Sequence, residues 1–585
     1  MLKSNTLWLF FLFFLLYFQV FCTSSFQEKT QNYFLEKISE RKLDEELNPK
    51  GNDNLSFVPL SIYLETGDFN ETFPETLSDG CRDKIINAMK KAKEIVEDFL
   101  EILIDLENSP KFNRTYIKET WGILNYTYDF DSGINLHEAN YFVFAKFTDL
   151  LTETASIILD EFAQFPIVGI ILFDNNMNEN KLTSEYLNTL MLHHFIRLLG
   201  FNEEINGIYN LFIPFSDYTL TVDQYYNFTN VINYARKYFN CPTIESIELF
   251  IDEENVDEQD NYYKYLDEFY YIGLYWPKRY FLGEIMTKFD YPEEQVLSGF
   301  TLAFLDDLPY LHVIKNSPYT GGLMKFGKNK GCEFLEEKCG DSPNFFKNEF
   351  YLPTALPLKE KEPSCSSGRL SKTIYKLETL EGDIEDLDPT PEFYKENKSG
   401  PKSANYCPIA QYDPDSSGER YIYTGRCSEI NYTEKDTDRH EELGDHSFCV
   451  ISSLVDIKDD DEDNTSNPDY KSICYEMICS SLSLTIKIGN DYIVCPREGG
   501  QIKVRNYKGT LLCPDYNLIC TSTKLCNNFF DCFEKKSEEI NETFYYDYEE
   551  IKTTQNPEVY NVDNPEINYK NLKKSMSFKI YIYFN

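Results

Sequence analysis

The chain has 585 residues, with 56 Lys and Arg against 97 Asp and Glu, which gives a formal net charge of −41. A charge this negative repels phosphate backbones and no basic block offsets it, so the composition argues against nucleic-acid binding. An apolar share of 42% can bury a large core, which excludes disorder throughout, and the length favours two or three lobes.

The N-terminus has the pattern of a secretory signal peptide. Lys3 is followed by an apolar run from Leu7 to Phe18, and cleavage is predicted near Cys22. A signal anchor is the alternative, but the run is shorter than the roughly 20 apolar residues of a spanning helix. No second run of spanning length follows, so we expect no transmembrane segment after signal removal. The location predicted is extracellular, or the cell surface through the secretory pathway.

Two further patterns fit a secreted glycoprotein with disulfide bonds. Cysteines crowd the C-terminal part, without paired C-x-x-C units, which favours disulfides over zinc. Loss of Cys22 leaves an odd number, and isolated Cys81 is the candidate for a free thiol. Asn-X-Ser/Thr sequons begin at Asn54, Asn70, Asn113, Asn125, Asn227, Asn397, Asn431, Asn464 and Asn541.

The first half of the chain predicts a mixed α/β lobe. Residues 23–80 are polar and weakly periodic, and are interpreted as a leader or pro-like segment. Apolar spacing predicts an amphipathic helix from Ile85 to Leu103. Two apolar stretches, Tyr141–Phe147 and Ile167–Phe173, predict buried strands, and Thr148–Ala163 between them is interpreted as a helix.

The next predicted helix is apolar nearly all round and carries a histidine pair. Thr183 is the expected N-cap, and Gly200 is expected to end the helix in a left-handed conformation. The body, YLNTLMLHHFIRLL, predicts a buried helix. Taken alone, His193, His194 and Arg197 would be polar exceptions in a core helix.

The string LHHFIRLLGF at Leu192–Phe201 resembles the zinc helix of the leishmanolysin family of metalloendopeptidases, H-E-x-x-H-x-L-G-F. Further blocks follow in the family's order: ARKYFNCP at 235–242, YWPKR at 275–279, GEIMT at 283–287, TLAFLDD at 301–307, GKNKGCEFL at 327–335 and GTLLCPD at 509–515. The similarity is strong over about residues 180–340 and weaker over much of 80–535.

The resemblance implies a zinc site of which only one ligand remains. It places the first ligand at His193, the second at Arg197, the third at Tyr275 and the general base at His194. Met286 matches the methionine of the family's Met-turn. The packing of the family is therefore expected to persist while the metal ligands do not.

These substitutions argue against zinc hydrolysis. Catalytic zinc takes three protein ligands, and one imidazole with a phenol does not supply them. The guanidinium of Arg197 is permanently charged and repels a divalent cation. Zinc, the family's cofactor, is therefore predicted to be absent or weakly bound. One hypothesis is that Arg197 replaces the zinc charge and pairs with Glu203 or Glu204.

Other metal-binding patterns in the sequence are weaker. His137 is not followed by a second histidine at helical spacing. His440 and His446 flank three carboxylates, but Gly444 interrupts any helix, so a solvated loop is favoured over a metal site. The acidic run 459–463 lacks the spacing of a calcium loop.

The sequence thus predicts an α+β fold: a metzincin-like lobe with a buried active-site helix, a central lobe and a disulfide-rich C-terminal region. The expected organisation is signal peptide 1–22, polar leader 23–80, N-terminal lobe 81–205, central lobe with the Met-turn 206–325, Cys-rich region 326–535 and acidic or polar tail 536–585. The function favoured is a catalytically inactive pseudopeptidase that binds a protein or peptide or acts in cell adhesion. The alternatives are an active zinc metalloendopeptidase with a non-standard ligand set, and a purely structural surface-coat glycoprotein.

Overall fold

The computed structural model describes seventeen stretches of the chain. They are residues 55–105, 139–148, 154–159, 166–179, 182–201, 219–221, 228–252, 273–288, 295–314, 324–339, 361–380, 391–411, 425–428, 435–457, 468–480, 483–520 and 560–561. Within them the protein mixes helices and sheets and carries many disulfides toward its C-terminal part, which confirms the α+β prediction.

The N-terminal part contains a four-stranded sheet, a three-stranded sheet and three helices. The first sheet has the order β2-β4-β6-β5, with β5 antiparallel to β6 and the other neighbours parallel. The second has the order β1-β3-β11, all antiparallel, where β11 is Leu311–Val313. The elements are β1 Leu55–Pro59, β2 Ile62–Glu65, α1 Gly67–Thr72, α2 Asp79–Phe99, β3 Leu100–Asp105, β4 Tyr141–Thr148, β5 Thr154–Leu159, β6 Pro166–Asp174 and α3 Ser184–Leu199.

Two sequence predictions for this part are wrong. Residues 55–80 belong to the fold rather than to the polar leader predicted for 23–80, because β1 and β2 pair with β3 and β4. The helix predicted over Thr148–Ala163 is replaced by β5, which pairs along its whole length with β6. In both places pairing with another strand decides the structure, and local periodicity does not.

The middle of the chain packs into the same core as the N-terminal part. Its elements are β7 Thr219–Thr221, α4 Thr229–Phe239, β8 Ser246–Glu248, β9 Phe250–Asp252, β10 Gly273–Tyr275, α5 Lys278–Phe281, α6 Gly299–Asp307, β11 Leu311–Val313 and α7 Glu333–Glu336. One contiguous set of buried apolar side chains extends from Leu60 to Ala410. The N-terminal and central lobes named from the sequence therefore share one core, and their boundary stays a prediction.

The C-terminal part is built on β-structure and disulfides. A seven-stranded sheet has the order β21-β20-β19-β17-β24-β22-β25 and its own apolar core. The strands are β12 Lys361–Cys365, β13 Lys372–Lys376, β14 Glu378–Thr379, β15 Lys398–Ser399, β16 Ala410–Gln411, β17 Ser447–Ser452, β18 Val455–Asp456, β19 Lys471–Cys479, β20 Leu484–Ile488, β21 Asp491–Cys495, β22 Gly500–Lys503, β23 Tyr507–Lys508, β24 Leu511–Cys513 and β25 Tyr560–Asn561, with helix α8 at Tyr516–Cys520. Two 3-10 turns occupy Lys402–Ala404 and Thr437–Arg439.

Six disulfides join described cysteines. They are Cys241–Cys332, Cys339–Cys407, Cys365–Cys449, Cys427–Cys474, Cys479–Cys520 and Cys495–Cys513. Cys81 is unbonded and buried, as predicted. The other cysteines, Cys22, Cys526 and Cys532, lie outside the described residues. Among the helices that are described, none is both long and apolar enough to cross a bilayer.

Candidate functional site

Helix α3 begins and ends as its sequence predicts, with one difference in the conformation of Gly200. The Thr183 hydroxyl accepts a hydrogen bond from the Tyr186 N–H at 3.1 Å. Gly200 ends the helix with φ of 161°, which is an extended value and not the left-handed one expected. A Cβ atom there would lie too close to Leu308 Cδ1, so a larger residue would require the Leu308 side chain to shift.

The C-terminal end of α3 is fixed from two sides. The Tyr141 hydroxyl donates to the Leu198 carbonyl at 2.7 Å, and the Tyr310 hydroxyl donates to the Leu199 carbonyl at 2.9 Å. These contacts satisfy carbonyls that have no partner inside the helix. Gly169 of β6 lies so close to the helix that a Cβ atom would approach Leu198 Cδ2 to 2.7 Å. His193, His194 and Arg197 are therefore held in defined positions.

The second half of the site is the turn that contains Met286. The Trp276 N–H donates to the Met286 carbonyl at 2.8 Å, and the Met286 side chain is fully buried. The turn follows β10 and the short helix α5, so Tyr275 and Met286 lie on adjacent strands of chain. The resemblance predicts a Met-turn at this segment.

A buried carboxylate, Glu284, organises this turn. Its oxygens accept hydrogen bonds from the Met286 N–H, from the Ser298 N–H at 3.2 Å and hydroxyl at 2.9 Å, and from the Thr301 hydroxyl. Thr301 in turn accepts from the Trp276 indole N–H at 2.9 Å. The role of Glu284 was not predicted from the sequence, although an acidic residue in an otherwise apolar turn was a usable signal.

We expect Glu284→Gln to reduce the fall in stability between pH 4.5 and 7. Burial raises the pKa of Glu284 from 4.5 to about 7, against the lowering effect of its hydrogen bonds. The folded state therefore holds this proton more tightly than the unfolded state. The contribution of Glu284 to the free energy of unfolding is fully present below pH 4.5 and is lost as pH rises to 7. The total loss is about 3 kcal/mol. Urea unfolding at a series of pH values measures the difference between parent and variant.

Asp307 provides the matched control for that experiment. Burial raises the pKa of Asp307 to about 7 as well, so it titrates in the same pH range. Asp307→Asn should remove the part of the pH-dependent fall in stability that Asp307 causes and leave the part that Glu284 causes. Identical pH profiles for the parent and Glu284→Gln would contradict the prediction.

His193 is oriented by the residue that precedes Met286. Its Nδ1 atom lies 2.8 Å from the Ile285 carbonyl oxygen, so Nδ1 carries the proton and donates. Burial, with a smaller effect of the Arg197 charge, lowers the pKa of His193 to about 3, so the ring is neutral at physiological pH. The ring also stacks on Tyr275, with centroids 6.1 Å apart.

Arg197 and Tyr275, which the resemblance assigns to ligand positions, contact each other directly. Arg197 Nη1 donates to the Tyr275 hydroxyl at 3.2 Å, and the guanidinium carbon lies 5.3 Å from the centroid of the Tyr275 ring. Arg197 is 4% exposed and Tyr275 is half-buried. A cation and a phenol therefore bridge α3 and the segment that contains Met286, at positions that the resemblance predicts for metal ligands. Glu203 and Glu204, the predicted partners of Arg197, lie outside the described residues.

His194, at the position of the family's general base, is buried without a hydrogen bond. It is 4% exposed, and neither ring nitrogen has a partner in the described part of the chain. Burial, then the neighbouring His193 and Arg197, lowers its pKa well below 6.5. His194 is therefore a neutral imidazole and carries no negative charge that could assist a metal-bound water.

The remaining metal candidates do not form a site in the described residues. His440 Nε2 contacts Asp456 Oδ1 at 2.8 Å, and no metal-binding group includes His440 or His446. The two groups with suitable geometry contain Cys241–Cys332 and Cys339–Cys407, which are disulfides and are not free to bind an ion. His137 and the acidic run 459–463 lie outside the described residues.

The donor set at the family's zinc position does not fit zinc. One neutral imidazole, one guanidinium and one phenol offer a single good nitrogen ligand, whereas catalytic zinc takes three protein ligands. The guanidinium adds a positive charge, and the Tyr275 oxygen is engaged with that guanidinium at 3.2 Å. No step of a hydrolytic mechanism can be derived from these residues.

A buried helix with a histidine pair contacts the turn around Met286 inside an α+β core, which is the arrangement that the resemblance to a metallopeptidase family predicts. The family model described as leishmanolysin matches residues 154–527, which is more than half of the chain. The chain therefore belongs to the leishmanolysin family, whose members are zinc-dependent metallopeptidases.

Proposed function

We propose that this protein is a secreted leishmanolysin homologue that has lost zinc-dependent peptidase activity and acts by binding a protein or peptide. The observation that carries the proposal is the direct contact between Arg197 and Tyr275, 3.2 Å from Nη1 to the hydroxyl oxygen. The two positions that would bind metal bind each other instead. Neutral, unpartnered His194 removes the anionic base as well.

One observation favours the alternative, an active zinc endopeptidase with an unusual ligand set. His193 donates through Nδ1 to the Ile285 carbonyl, which leaves Nε2 as the basic nitrogen. A histidine ligand of a metal is commonly oriented by such a hydrogen bond. A single oriented imidazole nevertheless falls short of three ligands.

Zinc content separates the two functions. In the secreted full-length protein after exhaustive dialysis, we expect less than about a tenth of a zinc ion per chain by elemental analysis. We also expect no chelator-sensitive cleavage of casein. His440→Ala is the matched control for His193→Ala, because it removes an imidazole outside the former site.

The opposite result would be close to one ion per chain, lost in His193→Ala and kept in His440→Ala. That result, together with cleavage that a chelator abolishes, would establish the endopeptidase. Loss of the ion in both variants would indicate an adventitious ion bound by scattered imidazoles, and the proposal would stand.

A further inference from the structure

The seven-stranded sheet ends in a strand that comes from the tail of the chain. β22 pairs on one side with β24 and on its outer side with β25. In the second, antiparallel pair, Ile502 is opposite Asn561 and Lys503 is opposite Tyr560. Helix α8 ends at Cys520, 40 residues before Tyr560. A short segment that is distant along the chain therefore occupies the outer edge of β22.

Two exposed cations lie at this edge of a strongly acidic protein. Lys503 ends β22 and Arg505 lies two residues further on, and both side chains are exposed. Ile502 and Val504, which alternate with them, are buried in the apolar core of the sheet, so the two cations lie on the solvent side. Among the described residues, neither cation has an acidic partner. In a chain with a formal net charge of −41, two such neighbouring cations attract an acidic segment.

The tail has the composition that such an edge attracts. Residues 538–566 contain nine Asp and Glu against a single Lys. Within them, the run EVYNVDN at 558–564 lies between Pro557 and Pro565. Val and Tyr favour strands, and proline is tolerated at the end of an edge strand but not inside a sheet. The pattern is typical of one short edge strand, and β25 lies inside this run.

The register of the β22–β25 pair gives one of these acids a cationic partner. Tyr560 is opposite Lys503, so the same antiparallel register, continued by two residues, brings Glu558 opposite Arg505. Glu558 is then also the diagonal neighbour of Lys503, within reach of a long side chain. Opposite charges at such positions stabilise an antiparallel pair. The backbone pairing and the charges therefore favour the same segment of the tail.

We infer that the outer edge of β22, with Lys503 and Arg505, is a docking site for a short acidic strand, and that residues 558–564 of the same chain occupy it. The inference is independent of the former zinc position and of the function proposed above. In strand addition, main-chain hydrogen bonds give affinity and side chains give specificity. Here the two cations select an acidic segment. Two residue pairs hold the tail strand in the described structure, so a competing acidic strand can displace it.

Binding of a fluorescent peptide with the sequence of residues 556–566 to the secreted full-length protein tests this inference. In the parent, the chain's own strand competes at an effective concentration of about a millimolar. The double variant Tyr560→Pro with Asn561→Pro, called the proline variant below, removes that competitor, because proline cannot donate a hydrogen bond to the ladder. We expect the peptide to bind the proline variant at least about tenfold more tightly than the parent, as measured by fluorescence anisotropy.

Charge reversal tests the role of the two cations. Lys503→Glu with Arg505→Glu, added to the proline variant, should weaken peptide binding at least about tenfold at an ionic strength of about 0.15 M. A peptide with Glu558→Lys should recover most of that loss in the reversed variant. The matched control is Lys237→Glu with Lys328→Glu, which changes the net charge equally at exposed positions outside the sheet. Added to the proline variant, this pair should leave peptide binding unchanged.

Three results would overturn the inference. Equal binding to the parent and the proline variant would show that the tail does not occupy the edge, and no binding to the proline variant would show that the edge is not a docking site. A dimer of the parent in sedimentation, lost in the proline variant, would place the strand on a second copy instead. If the charge-reversed variant does not fold, hydrogen exchange decides. Protection of the β22 amides in the parent and its loss in the proline variant support the site, and equal protection contradicts it.

Discussion

A triple variant, His194→Glu with Arg197→His and Tyr275→His, is expected to bind close to one zinc ion per chain. The substitutions supply the two missing imidazoles and the missing carboxylate at the positions that the family resemblance assigns. Three nitrogen ligands complete the set that catalytic zinc requires. The change also removes the buried guanidinium, which is the charge that opposes a cation most directly.

The expectation depends on how the surroundings of the site hold α3 and the turn around Met286. The Ile285 carbonyl still orients His193 at 2.8 Å, and Met286 is still fully buried beneath the turn. Glu284 holds that turn through four hydrogen bonds, and Tyr141 and Tyr310 hold the helix end. Restored ligands would therefore enter a positioned helix and turn.

Two control variants separate zinc binding from peptide cleavage. The double variant Arg197→His with Tyr275→His should bind zinc but cleave casein about 10²–10⁴-fold more slowly than the triple variant, because it lacks the general base. The triple variant with His193→Ala added should lose the ion. A triple variant that folds, yet holds no more zinc than the parent, would show that the surroundings have also diverged.

The sequence predicted the site helix because its signals are local. Thr183, the apolar body of α3 and Gly200 are contiguous, and a cap, a periodic core and a stop can be recognised without tertiary information. The predicted reason for a glycine at position 200 was nevertheless wrong. Gly200 allows the Leu308 side chain to pack closely against the helix end, and it does not adopt a left-handed conformation. Close packing by a distant residue leaves no trace in the neighbouring sequence.

The parts that the sequence did not predict depend on contacts between distant residues. β2 pairs with β4, and Ile62 is opposite Tyr141, so composition alone made residues 55–80 resemble a leader. Arg197 and Tyr275 are 78 residues apart. The family motif placed both at ligand positions, but only the structure brings them into contact. The prediction that Arg197 pairs with Glu203 or Glu204 stays a prediction.

The largest loss of stability by a single substitution outside the site is expected for Arg279→Met. The Arg279 side chain is fully buried, and its Nε atom lies 2.7 Å from Glu392 Oε2. Its Nη2 atom also donates to the carbonyls of Phe334 at 3.1 Å and Glu337 at 2.8 Å. The Arg279 guanidinium thus links the segment that contains Met286 to α7 and to Glu392.

Removal of this cation would leave Glu392 without its charged partner in a site where its side chain is 14% exposed. Breaking a buried ion pair by deleting one member costs about 3–5 kcal/mol, because the remaining charge stays desolvated. We expect that loss in the free energy of unfolding, measured in urea with the disulfides intact. Arg279→Lys should lie between parent and Arg279→Met, since it keeps the charge and loses the fork.

The matched control is Arg82→Met, which breaks a pair with Asp79 whose side chains are 33% and 85% exposed. An exposed pair of this kind contributes at most about 1 kcal/mol. In the double variant Arg279→Met with Glu392→Gln, both partners of the buried pair are changed together. Its loss should be smaller than the sum of the two single losses by about 0.5–3 kcal/mol, because neither charge is left alone. Additive losses in the free energy of unfolding would mean that Arg279 stabilises the fold through the two carbonyls and its packing. Glu392 would then be held by its hydrogen bond from the Cys339 N–H at 3.0 Å instead.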